Sequence, residues 1–236
     1  MRRPSYLACS YLFRSEEGLI AVDAGMDSSA ADIFKGLQMI GASPEQLKAV
    51  LLTHWHNDHA AGASAIKSRL GVPVYYSAEE KPFLTRETAA QGLRAWLGER
   101  IPELGVLVLL RGLLEEAPPC AVEANSLLQD GDIAPGGLRV IATAGHTPGH
   151  VVYFHERRRI LFCGDALAVV SGCLRLMSRP VTPDQEAARA STLRCVELSP
   201  ETICPGHREP LTVNVAGQIE RFRNFVKSDK PWPLLG

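Results

Sequence analysis

The sequence predicts an α/β protein in which side chains of the kinds that bind metal ions follow the strands. Short apolar runs alternate with segments whose apolar residues recur at helical spacing. The chain has 236 residues, 46% hydrophobic and 22% charged, which is enough for one sizeable core and excludes wholesale disorder. The ligand-type residues at predicted strand ends are Asp23, His54, His146, Asp165 and His207. We therefore expect them to collect at one edge of a sheet sandwich.

The composition narrows the classes of function and location. The net charge is −1 with acidic and basic residues interspersed, so we expect no nucleic-acid partner. The longest apolar stretch, 104–110, is far shorter than the ~20 residues of a membrane span, and no secretory apolar region is present near the N-terminus. Six widely spaced cysteines without a C-x-x-C pair are interpreted as reduced, buried and structural, which is typical of a cytoplasmic protein.

Apolar runs and the residues between them place the elements of the first third of the chain. A Ser-Glu-Glu-Gly turn joins the first two strands into a predicted hairpin, and glycines end both helices. In chain order we predict strands at 6–13 and 19–22, a helix from the N-cap Ser28 to Gly41, a strand at 49–52, a helix at 60–70 and a strand at 72–76.

Residues 78–118 interrupt this alternation. Apolar residues recur there at near-helical spacing, and 104–114 forms a second apolar block. We interpret the segment as a helical insertion within a single domain over 1–236. Two amphipathic core helices are one alternative; an insertion that covers the cleft, or pairs two copies into a homodimer, is the other. Phe83, Trp96 and 106–110 lead us to predict that the insertion governs substrate choice.

Strands return in the second half of the chain. The cluster Arg157-Arg158-Arg159 is interpreted as a solvated turn of a hairpin, which argues against a basic binding surface. We predict strands at 121–128, 138–142, 151–154 and 160–162, a helix at 183–198, a strand at 202–204 and a helix at 215–226.

The stretch 54–59 brings three imidazoles and one carboxylate together within six residues. Neutral imidazole and carboxylate are ligands that suit Zn²⁺. Residues i and i+2 of an extended segment point the same way, so His54 and His56 can bind one ion. Asp58 and His59 lie past the turn and face a place a few ångströms further on. Two adjacent metal ions are therefore predicted, and the spacing disfavours an ordinary polar loop.

Four motifs in sequence order resemble those of the metallo-β-lactamase-fold hydrolase superfamily, over most of the chain. They are H-x-H-x-D-H at 54–59, H-T-P-G-H from His146, G-D ending at Asp165 and P-G-H ending at His207, and Asp23 in V-D-A-G matches an early aspartate. The resemblance implies an αββα sandwich, in which two mixed β-sheets pack face to face with helices on the outside.

The resemblance also implies a complete set of metal ligands. The set comprises a first trio of His54, His56 and His146, a second trio of Asp58, His59 and His207, and Asp165 as a bridge between the two ions. Two Zn²⁺ ions are the expected cofactors, with iron or manganese as alternatives. The expected nucleophile is a bridging hydroxide, since metal binding lowers the pKa of water to about 7.

Three further residues have expected roles around this set. Asp58 is the predicted catalytic residue in addition to being a ligand, because a carboxylate beside the hydroxide can orient it and carry a proton. Asp23 is expected to orient a ligand imidazole. His150 is interpreted as a histidine that braces the His146 loop.

Several residues bear on the branch of the superfamily. Asp165 at the bridging position argues against the antibiotic-hydrolysing β-lactamases. About thirty residues follow His207, too few for the glutathione-binding helical domain of glyoxalase II, and no tyrosine follows Asp165, where lactonases use one. We expect a compact glyoxalase II-like or lactonase-like hydrolase of an ester, thioester or lactone, with a small-molecule substrate. The alternatives are an iron-dependent persulfide dioxygenase and a non-catalytic metal-binding scaffold.

Overall fold

The computed structural model describes residues 8–85, 120–228 and 231–234. The strands are β1 Tyr11–Arg14, β2 Leu19–Val22, β3 Leu47–Leu51, β4 Val74–Ser77, β5 Ser126–Leu128, β6 Ile133–Ala134, β7 Leu138–Ala142, β8 Val151–His155, β9 Ile160–Gly164, β10 Ala168–Val170, β11 Cys173–Arg175 and β12 Thr202–Pro205. The helices are α1 Ala31–Met39, α2 Asn57–Ala60, α3 Ala63–Leu70, α4 Lys81–Leu84, α5 Gln185–Glu197 and α6 Val215–Val226. Short 3₁₀ turns occupy Pro44–Gln46, Ala78–Glu80 and Arg179–Val181.

Two five-stranded sheets carry these elements, and both are mixed. The first has the order β1-β2-β3-β4-β5, antiparallel at β1–β2 and parallel elsewhere. The second has the order β12-β9-β8-β7-β6, parallel at β12–β9 and antiparallel elsewhere. The hairpin β10–β11 stands apart from both.

Three apolar layers hold the molecule together. The central layer takes side chains from both sheets, for example Ile20 and Leu51 from the first and Val140 and Tyr153 from the second. A second layer lies between the first sheet and helices α1 and α3, and a third lies between the second sheet and helices α5 and α6. Each sheet is thus covered by the other on one face and by helices on the other face. The predicted αββα sandwich is confirmed.

The two sheets meet closely at the edge where the motif residues lie. Parallel strands β2 and β3 both end there, as do β9 and β12, while the antiparallel strand β8 begins there. The Tyr153 hydroxyl donates to the Leu52 carbonyl at 2.7 Å, and the Val151 N–H donates to the Thr53 carbonyl at 2.9 Å. These bonds tie the end of β3 to the start of β8.

Most predicted elements occur, and the differences have local causes. Strand β7 and helix α6 have the predicted bounds, and Arg157–Arg159 lies in the β8–β9 turn. The predicted N-cap Ser28 is wrong: α1 begins at Ala31, because Asp27 binds the backbone N–H groups of Ser29 and Ala30 in a turn ahead of the helix.

The predicted strand at 121–128 is also wrong in its first half. The N–H of Val122 donates to the Leu84 carbonyl, and that of Ala124 to the Tyr76 hydroxyl, both at 2.9 Å. These N–H groups therefore bond outside the sheet, and the pairing of β5 with β4 begins only at Ser126.

The segment 78–118 is described only at its start. Glu80 and Leu84 are both fully buried, so this start belongs to the core. Residues 86–118, including Trp96 and 106–110, lie outside the described residues, and their role in substrate choice or in a homodimer stays a prediction. Trp55 is buried in the core layer and stacks on Phe83 with ring centroids 4.5 Å apart. This favours a packing role for Trp55.

The cysteines are thiols rather than disulfides, as expected, but they are not all buried. Cys9, Cys163, Cys195 and Cys204 are buried, whereas Cys173 is only partly buried and Cys120 is exposed, so the expectation of burial is wrong for Cys173 and Cys120. None of the helices in the described ranges combines the length and apolar character that crossing a membrane requires.

Candidate metal centre

The motif residues are delivered by turns that follow four strands. After β3 the chain runs extended through His54 and His56 and then enters the short helix α2, which carries Asp58 and His59. The helical turn redirects the second pair, as the sequence predicts. The remaining residues come from the β7–β8 loop (His146), the end of β9 (Asp165) and the end of β12 (His207).

The structure brings all seven predicted ligand residues together. In the described part of the chain, three groups have possible ligand atoms within 4.8 Å of one another. The groups are His54, His56 and His146; Asp58, His59 and His207; and His54, His59 and Asp165. The first two are the predicted trios, and the third joins them through a carboxylate.

Asp23 orients two of the imidazoles from behind. Its carboxylate accepts the His59 Nδ1–H at 2.8 Å and the Thr53 N–H and hydroxyl at 2.8 and 3.0 Å. Because the Thr53 hydroxyl donates to Asp23, it accepts the Nδ1–H of His54 at 3.0 Å. Both rings then turn Nε2 toward the centre. Asp23 has a positive φ of 59°, a conformation that aspartate tolerates better than most residues.

A backbone carbonyl orients the third imidazole. His146 Nδ1 lies 2.5 Å from the carbonyl oxygen of Val181, which can only accept, so this nitrogen carries the proton. The Nε2 lone pair of His146 then faces His56 Nδ1, 2.8 Å away. Residues 176–182 are held in turn by the C-terminal segment: Trp232 Nε1 donates to the Met177 carbonyl at 2.8 Å.

Asp165 lies between the two trios at distances typical of shared metal coordination. Its Oδ2 is 3.4 Å from His146 Nε2 and 3.3 Å from His207 Nε2, and its Oδ1 is 3.5 Å from His59 Nε2. Ligands of a tetrahedral ion at ~2.1 Å stand ~3.4 Å apart, longer than a good hydrogen bond. The arrangement suits a carboxylate that coordinates metal.

Three buried polar atoms at the centre test the fit of a metal directly. His54 Nε2, His59 Nε2 and Asp165 Oδ1 have no hydrogen-bond partner within the described ranges. Leaving such atoms unpaired is costly, and buried polar groups without partners are rare. A divalent cation would bind all three atoms and displace the proton of His59. The donor set, imidazole and carboxylate, is also the one that zinc and iron prefer.

Burial and charge set opposite pKa directions in the two trios. Burial lowers the pKa of His54 and His146, and lowers that of His56 to about 3. Burial would also lower the pKa of His59, but the carboxylates of Asp58, Asp165 and Asp23 raise it to about 10.

The carboxylate between the trios shows the matching effect. Burial would raise the pKa of Asp165, but His207, His59 and His146 hold it well below its ordinary value. The same balance, with Asp165 as the main partner, raises the pKa of His207. Asp165 and the imidazoles of the second trio therefore stabilise each other's charged forms.

Close packing at the end of β12 requires a glycine. A Cβ at Gly206 would lie 2.7 Å from His59 Cε1 and closer still to the Asp165 carboxylate. Any side chain there would push the β12 end away from the centre. Gly206 therefore allows His207 to approach Asp165.

His150 contacts the loop that carries His146, which the sequence suggests it braces, and also the turn that carries Asp165. Its Nδ1 pairs with the Thr143 hydroxyl at 2.8 Å, and its Nε2 accepts the Asp165 N–H at 3.1 Å. Both ring nitrogens are thereby occupied. The residue supports the turn that carries Asp165 and has no nitrogen left for a metal.

The sequence alone did not reveal the Thr53 hydroxyl or the Val181 carbonyl as partners of the ligands. Thr53 stands next to His54, and its hydroxyl can both donate and accept a hydrogen bond. That could have indicated it as a partner of the ligand. The Val181 contact spans 35 residues and uses a backbone atom, so no side-chain pattern could indicate it.

The fold and the paired trios define an αββα protein with a candidate metal centre. Residues 8–207 match the model of the metallo-beta-lactamase superfamily, and the chain belongs to that superfamily.

Relatives and solved structures agree with this membership. The probable metallo-hydrolase YflN of Bacillus subtilis (strain 168) is 31% identical over 230 residues, covering 89% of this chain and 83% of that protein. Hydroxyacylglutathione hydrolase GloC of Haemophilus influenzae is 27% identical over 159 residues, 67% of this chain and 66% of that protein. A crystal structure of TTHA1623 in a di-iron-bound form has a TM-score of 0.62 and 27% identity, and covers 90% of this chain and 93% of its own. These matches support a hydrolase with a divalent-metal site.

Proposed function

We propose that this chain is a binuclear metal-dependent hydrolase of an ester, thioester or lactone. The observation that carries the proposal is the convergence of two trios on one carboxylate, with three buried ligand atoms that have no partner within the described ranges. The first trio would hold one ion, the second trio the other, and Asp165 would contribute to both. Zinc is the proposed metal. Iron is the first alternative, since TTHA1623 is similar and has a di-iron-bound form, and manganese is the second.

The residues of this chain have distinct parts in the proposed reaction. Bound divalent cations would lower the pKa of water to about 7 and would polarise an acyl carbonyl. Asp58 is the more accessible carboxylate: its side chain is 33% exposed, whereas that of Asp165 is 5% exposed. Burial would raise the pKa of Asp58, but His59 and His207 lower it, so the carboxylate is ionised at neutral pH. Asp58 can therefore take a proton and pass it to the leaving group.

The completeness of the second trio favours hydrolysis over a non-catalytic scaffold. A persulfide dioxygenase of this fold can retain most of these residues while using two histidines and one aspartate on a single iron, so metal content separates it from a hydrolase. Asp58 and His207 are both partly exposed, so a substrate could reach the second trio. A non-catalytic scaffold does not require such access. Among the substrate classes, a thioester is favoured by the similarity to hydroxyacylglutathione hydrolase GloC.

Metal analysis with matched histidine variants tests this proposal. Wild-type protein purified with excess zinc should hold two ions and hydrolyse at least one member of a panel of thioesters, esters and lactones. His207→Ala should retain one ion and lose most activity. His155→Ala is the control, because His155 lies at the far end of β8 and its Nδ1 accepts the Arg158 N–H at 3.0 Å. A wild-type protein with a single tightly bound iron that consumes oxygen with a persulfide would overturn the proposal.

A further inference from the structure

A buried carboxylate that belongs to neither trio joins the two loops of the first trio. Glu80 is fully buried, and its Oε2 accepts the N–H of Trp55 at 2.7 Å. Its Oε1 accepts the hydroxyl of Thr147 at 2.8 Å and the N–H of Gly149 at 2.7 Å. Trp55 stands between His54 and His56, and Thr147 follows His146. One carboxylate therefore binds next to every member of the first trio.

The two loops belong to different sheets, so this connection is not part of any strand ladder. Residues 52–56 follow β3 of the first sheet, and residues 143–150 precede β8 of the second. Glu80 reaches both from the 3₁₀ turn after β4. Ser77, at the end of β4, adds a bond from its hydroxyl to the Gly149 carbonyl at 2.5 Å.

The fit around Glu80 is tight. A Cβ at Gly149 would lie 2.7 Å from Glu80 Oε1 and 2.6 Å from Ser77 Oγ, so a larger residue could not keep these bonds. Burial raises the pKa of Glu80 to about 7, and the bonds from Thr147, Trp55 and Gly149 act in the opposite direction. Placing a carboxylate in such surroundings is costly unless its oxygens are well satisfied.

The second trio is held by other contacts. Asp23 anchors His59. The His207 turn is anchored by a bridge between Ala8 and His207 and by the bond from Cys9 N–H to the Gly206 carbonyl. The bonds of Glu80 to Trp55, Thr147 and Gly149 involve none of these residues.

We propose that Glu80 is a positioning residue for the first metal ion. Its carboxylate holds the 52–56 segment against the 143–150 loop, so that His54, His56 and His146 stand at binding distance before the ion arrives. The inference rests on the proposed function, because it concerns the affinity of the first trio. Loss of the carboxylate should weaken that trio and leave the second trio intact.

Glu80→Gln is the central variant. All three donors point at oxygens, and an amide replaces one oxygen with an NH₂ group that faces a donor in either orientation. Glu79→Gln is the matched control, since Glu79 is the exposed neighbour in the same turn and loses the same charge. Glu80→Asp keeps both carboxylate oxygens on a shorter side chain, so it should retain more of the first trio's metal affinity than Glu80→Gln does.

Each trio can be measured alone in full-length protein. In the His207→Ala background only the first trio is complete, and in the His146→Ala background only the second is. Zinc affinity is measured in both backgrounds by competition with a chromophoric chelator. Glu80→Gln should lower the affinity of the first trio about tenfold or more, the range for residues that orient metal ligands. It should leave the second trio unchanged, and Glu79→Gln should change neither.

The outcomes separate this inference from the function it rests on. Wild-type protein that binds no zinc overturns both. Wild-type protein that binds two ions, with Glu80→Gln affinities equal to its parents, overturns the role of Glu80 alone. An equal loss in both backgrounds also overturns it, because that result marks a general loss of stability. If Glu80→Gln does not fold, Thr147→Val removes one donor and should produce a smaller loss confined to the first trio.

Discussion

The first trio consists of imidazoles alone, whereas the second trio includes the carboxylate of Asp58. Burial keeps the first three rings neutral, with the pKa of His56 lowered to about 3, while acidic neighbours raise the pKa of His59 to about 10. Both trios lie at the same edge of the sandwich and share Asp165. Lying at the same edge of the sandwich therefore does not give the imidazoles the same pKa. The groups that contact each ring determine it.

The two trios also differ in how they are held. His146 is oriented by the Val181 carbonyl and His54 by the Thr53 hydroxyl, which are neutral groups. His59 is oriented by the charged carboxylate of Asp23. We therefore expect the first trio to bind metal with little dependence on pH, and the second trio to exchange protons for its ion.

Removal of the shared carboxylate should have the largest effect, because it is common to both trios. Asp165→Asn keeps the side-chain shape and removes the charge that lies 3.3–3.5 Å from His146, His59 and His207. We expect dialysed protein to lose both ions and all measurable hydrolysis. Asp130→Asn, which changes an exposed carboxylate paired with Arg194, is the control and should retain both ions. Retention of two ions by Asp165→Asn would show that the trios are independent sites.

Asp58→Asn should affect turnover more than binding when metal is saturating. General acid–base groups typically contribute about 10²–10⁴-fold, and the amide can neither accept nor deliver the proton. The measurement is kcat at saturating substrate, with metal content determined on the same sample. Near-wild-type turnover with both ions bound would exclude this role for Asp58.

Acidification should release the ion of the second trio before that of the first. An imidazole must be deprotonated to bind a metal. In the metal-free protein His59, with its pKa of about 10, holds a proton at pH 7, whereas His56, with its pKa of about 3, does not. Proton competition at the second trio therefore begins near pH 10, is already present at neutral pH and grows as the pH falls. Metal content after dialysis along a descending pH series, and proton release on zinc binding measured calorimetrically in two buffers, would check the order. Simultaneous loss of both ions would contradict it.

The cysteines should give the smallest effects and leave both trios intact. Cys195 is buried in the core layer of the second sheet, so Cys195→Ala should lower the free energy of unfolding by about 0.5–3 kcal/mol. Cys120 is exposed, and Cys120→Ser should change it by less than ~0.5 kcal/mol. Urea denaturation and metal analysis of the same samples test both statements. Loss of an ion from either variant would implicate a thiol in the centre.

Much of the candidate site was predictable because its spacing is local. His54 and His56 share a direction by strand geometry, and Asp58 and His59 diverge because a helical turn begins at Asn57. The strand ends at His146, Asp165 and His207 could be read from apolar runs that stop at a ligand-type residue. Helix α6 has the predicted bounds because its buried apolar residues recur at helical spacing from its first residue to its last.

Other features were missed because each depends on only a few residues, too few to form a recognisable pattern. The start of α1 was missed since the side chain and carbonyl of Asp27 compete for the N–H groups ahead of the helix. The hairpin β10–β11 was missed because its strands are only three residues long, too short for a periodic pattern.

The sequence by itself determined which side chains could bind metal, their order along the chain, and the α/β alternation that brings strand ends to one edge. Only the tertiary structure decided which ring nitrogen faces the centre, which rings stay neutral and how the loops of the first trio are joined. Glu80 illustrates the reason. It is 25 residues from Trp55 and 69 from Gly149, and in the sequence it reads as the second of two acidic residues in a polar turn. Its burial, and hence its contacts, arise only when the two sheets close on each other.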